Sequence, residues 1–309
     1  MKGEPCPVCD GDQYRLRYEA FVDYEYHVDI HPDILECISC GLLRHREQPD
    51  NNRLRDFYPA DYLVYNQSFK SVTGSFFATL KRMLYTGRAR KVAAHIGGNA
   101  KVLDIGCANG ALLSSLRERG NYDLYGIDIK NTGVDFASLG ISFREGTLEE
   151  ACFESDYFDA IAMDNVIEHV SCLKSFITEV YRILKPGGWI FCTTPNHASL
   201  DRLIFHKYWG GFHMPRHTFL FNSSNIRLFL KKNGFDDIHL LPTFNAGDWA
   251  VSVQNFMRRN SGRQISYTRG AYFPVVGLLM APVSFITSLF GFNGVMDLCC
   301  RKSSRPGRC

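Results

Sequence analysis

One short stretch and an acid that follows it limit the possible folds more than any other part of the chain. Residues 102–110 read VLDIGCANG, and residues 123–128, DLYGID, end in Asp128. This order predicts a buried strand, a turn of small residues, a helix and a second strand that ends in an acid. Small residues let the backbone approach a ligand closely, and the acid can accept two hydrogen bonds from a ribose diol. The stretch therefore predicts an adenosine site.

The residues around the turn indicate which adenosine cofactor is bound. A dinucleotide site needs the pattern G-x-G-x-x-G, with a pyrophosphate at a helix N-terminus. Here the pattern is Gly106-x-Ala108-x-Gly110, and Asp104 precedes it. A carboxylate at that place repels a pyrophosphate and favours a cationic ligand that carries an amino group. The motif resembles the D-x-G-x-G-x-G motif of the class I S-adenosylmethionine-dependent methyltransferases, with Ala108 in place of the central glycine.

The resemblance continues in the chain order that this family requires. Residues 158–164 resemble the fourth strand, NVIEH follows it at 165–169, and LKPGG at 184–188 is the turn into a fifth strand at 189–194. The family implies a Rossmann-like, doubly wound α/β sheet of seven strands that binds S-adenosylmethionine. An unrelated Rossmann-like domain is the alternative. The resemblance also implies the cofactor-binding residues: Asp104, Gly106, Cys107, Ala108 and Gly110 in the loop, Asp128 and Ile129 on the ribose, Thr147 and Leu148 beside the adenine, and Asp164 and Asn165 at the methionine end.

The cysteines divide into a paired set and a scattered set. The N-terminus has no apolar run before a cleavage site, so we expect a cytoplasmic chain with reduced cysteines. In that setting Cys6-x-x-Cys9 and Cys37-x-x-Cys40 predict two knuckles that hold one structural zinc ion, in a zinc ribbon at residues 1–48. Four thiols without a metal are the alternative. The scattered cysteines are Cys107, Cys152, Cys172, Cys192, Cys299, Cys300 and Cys309, and all except the terminal Cys309 are expected to be small buried side chains.

A helical linker at residues 49–90 is expected to join the zinc ribbon to the catalytic domain. PDNN at 49–52 is typical of a helix start, and residues 76–90 carry apolar side chains at helical spacing. Tyr58, Tyr62 and Tyr65 resemble the tyrosine-rich segment that caps the active site in zinc-bearing members of the family. We therefore expect Tyr58 and Tyr62 to contact the substrate, with packing in the core as the alternative.

A long loop after the fifth strand is the predicted wall of the acceptor site. It contains WGGFHMPRH at 209–217, and a helix capped by Ser223 or Ser224 follows it. The loop resembles the P-R-H or E-H signature of methyltransferases that act on sugars and related polar metabolites. Its polar and aromatic side chains, on a loop that leaves the carboxyl end of a strand, predict substrate contacts by Trp209 and Arg216. The resemblance implies a general base, for which His217 is the first choice, His213 the second and His169 the third, with hydrogen-bonded structural histidines as the alternative.

The last third of the chain contains an apolar segment. Between Arg269 and Asp297 lie 27 residues without a charge. Residues 294–302 resemble the last strand of the methyltransferase sheet, which must lie beside the fifth strand, so the segment cannot cross a bilayer. Residues 243–293 are therefore predicted to be an inserted helical hairpin, broken near Pro274 and Pro282, and residues 91–242 and 294–309 the methyltransferase domain. Residues 271–292 are expected to contact a membrane interface, a second copy in a homodimer, or the active site as a lid.

The charge and the combined motifs narrow the function. A net charge of +3 and an acid-rich N-terminal region argue against a nucleic-acid partner. The combination resembles methyltransferases of polysaccharide or secondary-metabolite pathways, and it implies O-methylation of a sugar, a lipid-linked glycan or another polar small metabolite. The expected location is the cytoplasm or the inner face of the membrane. The alternatives are C-methylation of a nucleotide deoxysugar, a non-catalytic scaffold that binds the cofactor, and a protein or RNA methyltransferase.

Overall fold

The computed structural model describes residues 1–26, 28–58, 72–241, 243, 245–259 and 272–304. The described strands, in chain order, are β1 (Tyr14–Tyr18), β2 (Ile34–Cys37), β3 (Leu43–His45), β4 (Lys101–Ile105), β5 (Asp123–Asp128), β6 (Ile141–Glu145), β7 (Phe158–Asp164), β8 (Leu184–Pro195), β9 (Phe219–Leu220), β10 (Phe235–Leu241) and β11 (Val295–Lys302). The described helices are α1 (Asn51–Asp56), α2 (Val72–Ala93), α3 (Ala111–Arg117), α4 (Leu173–Ile183), α5 (Leu200–Phe205), α6 (Ser223–Lys232), α7 (Gly247–Arg258) and α8 (Tyr272–Leu289).

The central sheet has seven strands in the order β10-β11-β8-β7-β4-β5-β6. Strands β8, β7, β4, β5 and β6 are parallel, and β11 runs antiparallel to β8 and β10. The strand order reverses between β4 and β7, and this is where open α/β sheets bind ligands at the carboxyl ends of their strands. The predicted seven-stranded, doubly wound fold is confirmed, and so is the pairing of the last strand with the fifth.

Helices cover both faces of this sheet. In α4 the buried residues recur at helical spacing, namely Leu173, Phe176, Ile177, Val180 and Ile183. They pack against one face together with β7 and β8. On the other face, α2 and α3 pack against β4 and β5 in a second apolar cluster. The sheet is therefore buried on both sides, as a parallel sheet requires.

Three local predictions differ from the structure. Strand β8 begins at Leu184, before the KPGG turn, because Leu184 already pairs with Phe158 and the chain bulges before Trp189 pairs with Ala160. Helix α6 is capped by Asn222 instead of a serine, since its side chain accepts hydrogen bonds from two backbone amides in the first turn. Helix α8 is continuous, so no break occurs near residues 274 or 282, although the helix contains a proline at the latter.

The N-terminal region forms a second sheet in the order β1-β2-β3-β9. Its fourth strand, β9, follows the loop at residues 209–217, called the P-R-H loop below. In this pairing Leu43 lies opposite Leu220. The same region shares an apolar core with the central sheet, in which Tyr14 and Leu42 lie in one cluster with Phe221 and Phe229. Residues 1–48, the predicted zinc ribbon, therefore pack directly on the methyltransferase domain.

The inserted segment lies between β10 and β11 and contributes α7 and α8. Helix α7 packs on α5 and α8, and α8 leaves large apolar side chains exposed, among them Leu278, Leu279 and Phe285. Among the described helices, none combines the length and apolar character that a membrane span needs. Contact of this surface with a membrane, a second copy or a lid position stays a prediction. Tyr62, Tyr65 and Cys309 lie outside the described residues.

Candidate active site

The turn after β4 has the backbone shape that a close ligand approach requires. Gly106, Ala108 and Gly110 all have positive φ, at 71°, 47° and 70°. A side chain at Gly106 would meet Val166 at 2.7 Å, and one at Gly110 would meet Phe136 at 3.0 Å. Gly110 is the N-cap of α3, and its carbonyl accepts a hydrogen bond from the Ser114 amide at 2.8 Å. The small residues of the motif are therefore required by the turn itself.

Asp128 fastens this turn to the next strand. Its Oδ2 accepts a hydrogen bond from the Ala108 amide at 2.9 Å, and its Oδ1 accepts one from the Lys130 amide at 3.3 Å. Burial raises the pKa of the Asp128 carboxyl. The carboxylate lies at the carboxyl end of β5, where the resemblance places the ribose. It can accept hydrogen bonds from a diol while it holds the loop.

Asp104 lies beneath the turn in an unusual electrostatic environment. Burial, with a smaller contribution from Asp128, raises the pKa of its carboxyl to about 8, and Arg88 opposes this rise. A buried acid of this kind is costly to ionise unless a cation lies next to it. A ligand with an ammonium group supplies that cation. The site is therefore suited to an amino acid moiety, as the sequence predicts.

An arginine that the sequence did not single out lies at the end of the site that the resemblance assigns to the methionine. Arg88, from α2, forms an ion pair with Asp164, and Asn165 donates a hydrogen bond to the same carboxylate at 3.0 Å. Asn165 has a positive φ of 52°, which turns the chain sharply at the end of β7. The pair holds one predicted cofactor residue in place. Only the helical spacing of α2 was visible in the sequence, and it does not reveal which residue reaches the site.

One cavity of about 650 Å³ brings the predicted cofactor residues together. Ten of the eleven line it, and Gly110 acts from behind as the cap of α3. Thr147 and Leu148 lie at the start of the turn after β6, and Ile129 is partly exposed at the rim. The volume falls within the range of about 300–1,000 Å³ that is typical of small-molecule sites. The lining also includes Tyr58, from the predicted cap, and several residues of the loop at 209–217.

Three histidines line the far end of the same cavity. The rings of His169 and His217 have centroids 4.5 Å apart, and those of His213 and His217 are 5.1 Å apart. Tyr58 approaches the Nδ1 atom of His169 at 3.0 Å, so the predicted cap residue does reach the cavity. The carboxylate of Asp248, at the start of α7, lines this end as well.

Two predicted substrate residues lie elsewhere. Trp209 is 1% exposed and packs among aromatic rings, and its Nε1 donates a hydrogen bond to Asp201 at 2.9 Å. Arg216 is fully buried and pairs with Asp23 at 3.0 Å. Neither side chain lines the cavity. Both residues hold the loop in place, because a large ring and a buried ion pair fix its backbone, whereas the glycines that follow Trp209 form the wall itself.

The comparisons with known proteins agree with this geometry. A family model described as a methyltransferase domain matches residues 76–240, which is more than half of the chain. The chain belongs to this family. The predicted class, an S-adenosylmethionine-dependent methyltransferase domain, is therefore confirmed.

The curated relatives are similar to part of this methyltransferase. It is 38% identical over 112 residues to the mitochondrial ubiquinone biosynthesis O-methyltransferase of Mus musculus, covering 33% of this chain and 30% of the relative. It is 35% identical over 119 residues to the ubiquinone biosynthesis O-methyltransferase of Bartonella tribocorum, covering 36% and 45%. The match thus spans about a third to a half of those relatives. Among solved structures, a phosphoethanolamine methyltransferase of Haemonchus contortus aligns with a TM-score of 0.51 at 18% identity, over 82% of this chain and 60% of that one, which supports the fold.

The paired cysteines of the methyltransferase converge as predicted. The Sγ atoms of Cys6 and Cys40 are 3.7 Å apart, those of Cys9 and Cys37 are 3.5 Å apart, and all four lie within 4.8 Å of one another. Four thiolates around zinc at about 2.3 Å in a tetrahedron are separated by about 3.8 Å. The four residues therefore fit a structural zinc ion, which they would hold without an open coordination position. The ion itself stays a prediction.

The scattered cysteines divide differently from the prediction. Cys107, Cys192, Cys299 and Cys300 are buried, as expected. Cys152 and Cys172 are exposed, because both lie in irregular segments at the surface, before β7 and before α4. No sequence pattern distinguished these two from the buried ones.

Two further acidic residues of the methyltransferase escaped the sequence analysis. Glu168 is completely buried, accepts a hydrogen bond from Thr194 at 3.0 Å, and has its pKa raised to about 8 by burial. Burial, followed by the nearby Asp201, raises the pKa of Asp248 to about 8. Glu168 precedes His169 in the sequence and could have been suspected on that ground. Asp248 lies in the insertion, where nothing local marked it.

Proposed function

We propose that this methyltransferase transfers the methyl group of S-adenosylmethionine to a hydroxyl oxygen of a polar small molecule. The observation that carries the proposal is the shared cavity, whose cofactor end meets a far end lined by three histidines. Methyl transfer is an in-line displacement, so the enzyme mainly has to align the acceptor oxygen with the methyl group and remove its proton. A single cavity that holds the cofactor at one end and the acceptor at the other provides that alignment.

The positions of the two ends support this order of groups. Asp164 and Asn165, which the resemblance assigns to the methionine end, follow β7, and His169 follows them in the same segment. The donor methyl and the histidine cluster would therefore lie next to each other. An acceptor between them would have its reactive oxygen near an imidazole.

The polarity of the far end favours a neutral, hydroxylated acceptor. Tyr58, Asn245 and Asp248 line it together with the histidines. With a pKa of about 8, Asp248 carries a proton at neutral pH, so its carboxyl can donate a hydrogen bond to an acceptor oxygen. A polyol such as a sugar, free or linked to a lipid, satisfies many such groups at once, because each hydroxyl both donates and accepts.

The names of the curated relatives favour a second acceptor class. They are ubiquinone biosynthesis O-methyltransferases, so a hydroxylated intermediate of ubiquinone biosynthesis is the alternative. Both classes present a hydroxyl oxygen to the donor. They differ in the number of further hydroxyls that the polar lining could bind.

The test is an acceptor screen with purified, zinc-quantified protein. Nucleotide-linked and lipid-linked sugars are compared with hydroxylated quinone precursors, and both S-adenosylhomocysteine formation and the mass of the methylated product are measured. We expect a mass gain of one methyl group on a sugar hydroxyl. Methylation of the quinone precursors alone would move the proposal to the second class. Tight cofactor binding without turnover on any acceptor would contradict catalysis and favour the scaffold.

A further inference from the structure

A buried glutamate from the N-terminal region contacts one of the three histidines. The Oε2 atom of Glu25 lies 2.6 Å from the Nδ1 atom of His213, and the Glu25 side chain is 2% exposed. This contact is at ion-pair distance, because among the described residues no donor, the His213 ring included, meets the geometry of a hydrogen bond to this oxygen. His213 lines the large cavity, whereas Glu25 does not. The carboxylate therefore lies behind the imidazole, on the side away from the acceptor.

The other two histidines have different surroundings. The Nδ1 atom of His217 lies 3.0 Å from the Gly211 carbonyl, and burial with two neighbouring histidines keeps the pKa of His217 well below its ordinary value. The Nδ1 atom of His169 lies 3.1 Å from the Arg216 carbonyl, and burial lowers its pKa to about 3. A carbonyl orients an imidazole but gives little stabilisation to its protonated form. A carboxylate oxygen of Glu168 lies within 4.8 Å of a ring nitrogen of each, but the Nδ1 atoms of both rings contact backbone carbonyls instead.

We propose that His213 is the general base of the methyl transfer and that Glu25 is its positioning residue. In this assignment the Glu25 carboxylate keeps the ring proton on Nδ1, so that Nε2 takes the proton of the acceptor. As the acceptor oxygen bonds to the methyl carbon, the carbon–sulfur bond breaks, its electron pair stays on sulfur, and the hydroxyl proton moves to Nε2. The Glu25 carboxylate stabilises the imidazolium that forms, as a buried acid does for a catalytic histidine in hydrolases. The assignment rests on the proposed oxygen methylation.

The N-terminal turn that carries Glu25 is held firmly on the loop. The Glu25 amide donates a hydrogen bond to Asp23 at 3.0 Å, and Asp23 pairs with Arg216 at 3.0 and 3.3 Å. The Arg216 guanidinium also stacks over the Tyr26 ring, 4.7 Å from its centroid. Two ion pairs thus connect residues 23–26 to the P-R-H loop. The Asp23–Arg216 pair lies in the interior, and the Glu25–His213 pair lies at the cavity wall.

The backbone of His213 supports the same conclusion. Its φ is +47°, a conformation that non-glycine residues adopt at a cost and that surrounding contacts must maintain. Glycine would adopt this turn without strain. The histidine is placed there with its ring between Glu25 and the cavity, so the position serves the side chain more than the backbone.

The test combines a spectroscopic measurement with kinetics. Long-range ¹H–¹⁵N correlation spectra of the full chain with labelled histidine report which nitrogen of each ring is protonated. We expect the Nδ1–H tautomer at His213 in the wild type and its loss in Glu25→Gln. With the acceptor found in the screen, we expect kcat to fall about 10- to 100-fold in Glu25→Gln and about 100-fold or more in His213→Gln, with little change in acceptor KM. Glu25→Asp should recover part of the loss.

The control is Glu36→Gln, which makes the same change in the same region. Glu36 pairs with Arg15 and Arg17 on the exposed side of the N-terminal sheet, so kcat and the His213 tautomer should stay unchanged. Binding of S-adenosylhomocysteine confirms that each variant is folded. An Nε2–H tautomer at His213 in the wild type, or full kcat in His213→Gln, would overturn the proposal. Lack of turnover in the wild type would contradict the proposed function, while the tautomer still decides the Glu25–His213 pair.

Discussion

The two ends of the cavity are constructed differently. The cofactor end consists of the carboxyl ends of β4, β5 and β7 and the short turns that follow them, all in one sheet. The acceptor end is assembled from distant segments: the N-terminal turn that holds Glu25, the P-R-H loop and the start of α7. The first is positioned by backbone hydrogen bonds between neighbouring strands, and the second by side-chain contacts between regions far apart in the chain. The two ends should therefore respond separately to mutation.

The largest expected effect comes from removing the paired cysteines' metal. In Cys37→Ser one of the four ligands is lost, and structural zinc sites contribute about 10–16 kcal/mol of binding free energy in small zinc peptides. We expect loss of zinc by elemental analysis, a clear fall in the melting temperature, and loss of the N-terminal sheet that holds Glu25. Turnover should fall far more than affinity for S-adenosylhomocysteine.

Cys152→Ser is the matched control for that change, because this cysteine is exposed and lies outside both the four-cysteine cluster and the cavity. It should keep its zinc, its stability and its activity. If cofactor affinity fell as steeply as turnover in Cys37→Ser, the two ends would be coupled and the comparison would fail.

The next effect should be confined to the cofactor end. In Asp128→Ala the ribose loses a charged acceptor and the turn loses its bond to the Ala108 amide. Two hydrogen bonds to a charged group are worth about 3 kcal/mol together, so the Kd for S-adenosylhomocysteine should rise about 100-fold by calorimetry. Asp123→Ala, at the exposed start of the same strand, is the control and should bind normally.

A smaller, pH-dependent effect is expected at Asp104. Its folded pKa of about 8 lies above the ordinary value of 3.8, so the folded protein binds the proton more tightly than the unfolded chain does. This group therefore lowers stability as the pH rises from about 4 to about 8. Asp104→Asn should raise the free energy of unfolding at pH 8.5 by about 1–3 kcal/mol without ligand, and should weaken cofactor binding.

Urea unfolding at pH 6 and pH 8.5 measures that change, with Asp236→Asn on the exposed side of β10 as the control. The gain over the wild type should be larger at pH 8.5. The destabilisation caused by the raised pKa of Asp104 grows with pH until the pH passes that pKa of about 8. Equal stability of wild type and variant at both pH values would contradict the role of Asp104.

The same difference between the ends explains what could be predicted from sequence. The cofactor end is local: the motif, the acid after β5 and the chain order of the strands determine it, and ten of the eleven predicted residues line the cavity. The acceptor end depends on packing between distant segments. The sequence therefore indicated which loop forms it but not which of the loop's side chains reach the cavity. Trp209 and Arg216 looked like substrate contacts because they are large and polar in a site loop, yet Asp201 and Asp23 bind them in the interior. Arg88 and Glu25 had no local signal.

The pairing of β3 with β9 has a consequence for biosynthesis. A ribosome releases the cysteine knuckles and the first three strands long before it makes residues 219 and 220, which complete their sheet. Until then, β3 has an unpaired edge, and Glu25 has no histidine to contact. The nascent N-terminal segment must wait for about 170 further residues before it reaches its final arrangement. Its maturation should therefore come late in synthesis, and a truncated chain that ends before the P-R-H loop should expose this edge to chaperones.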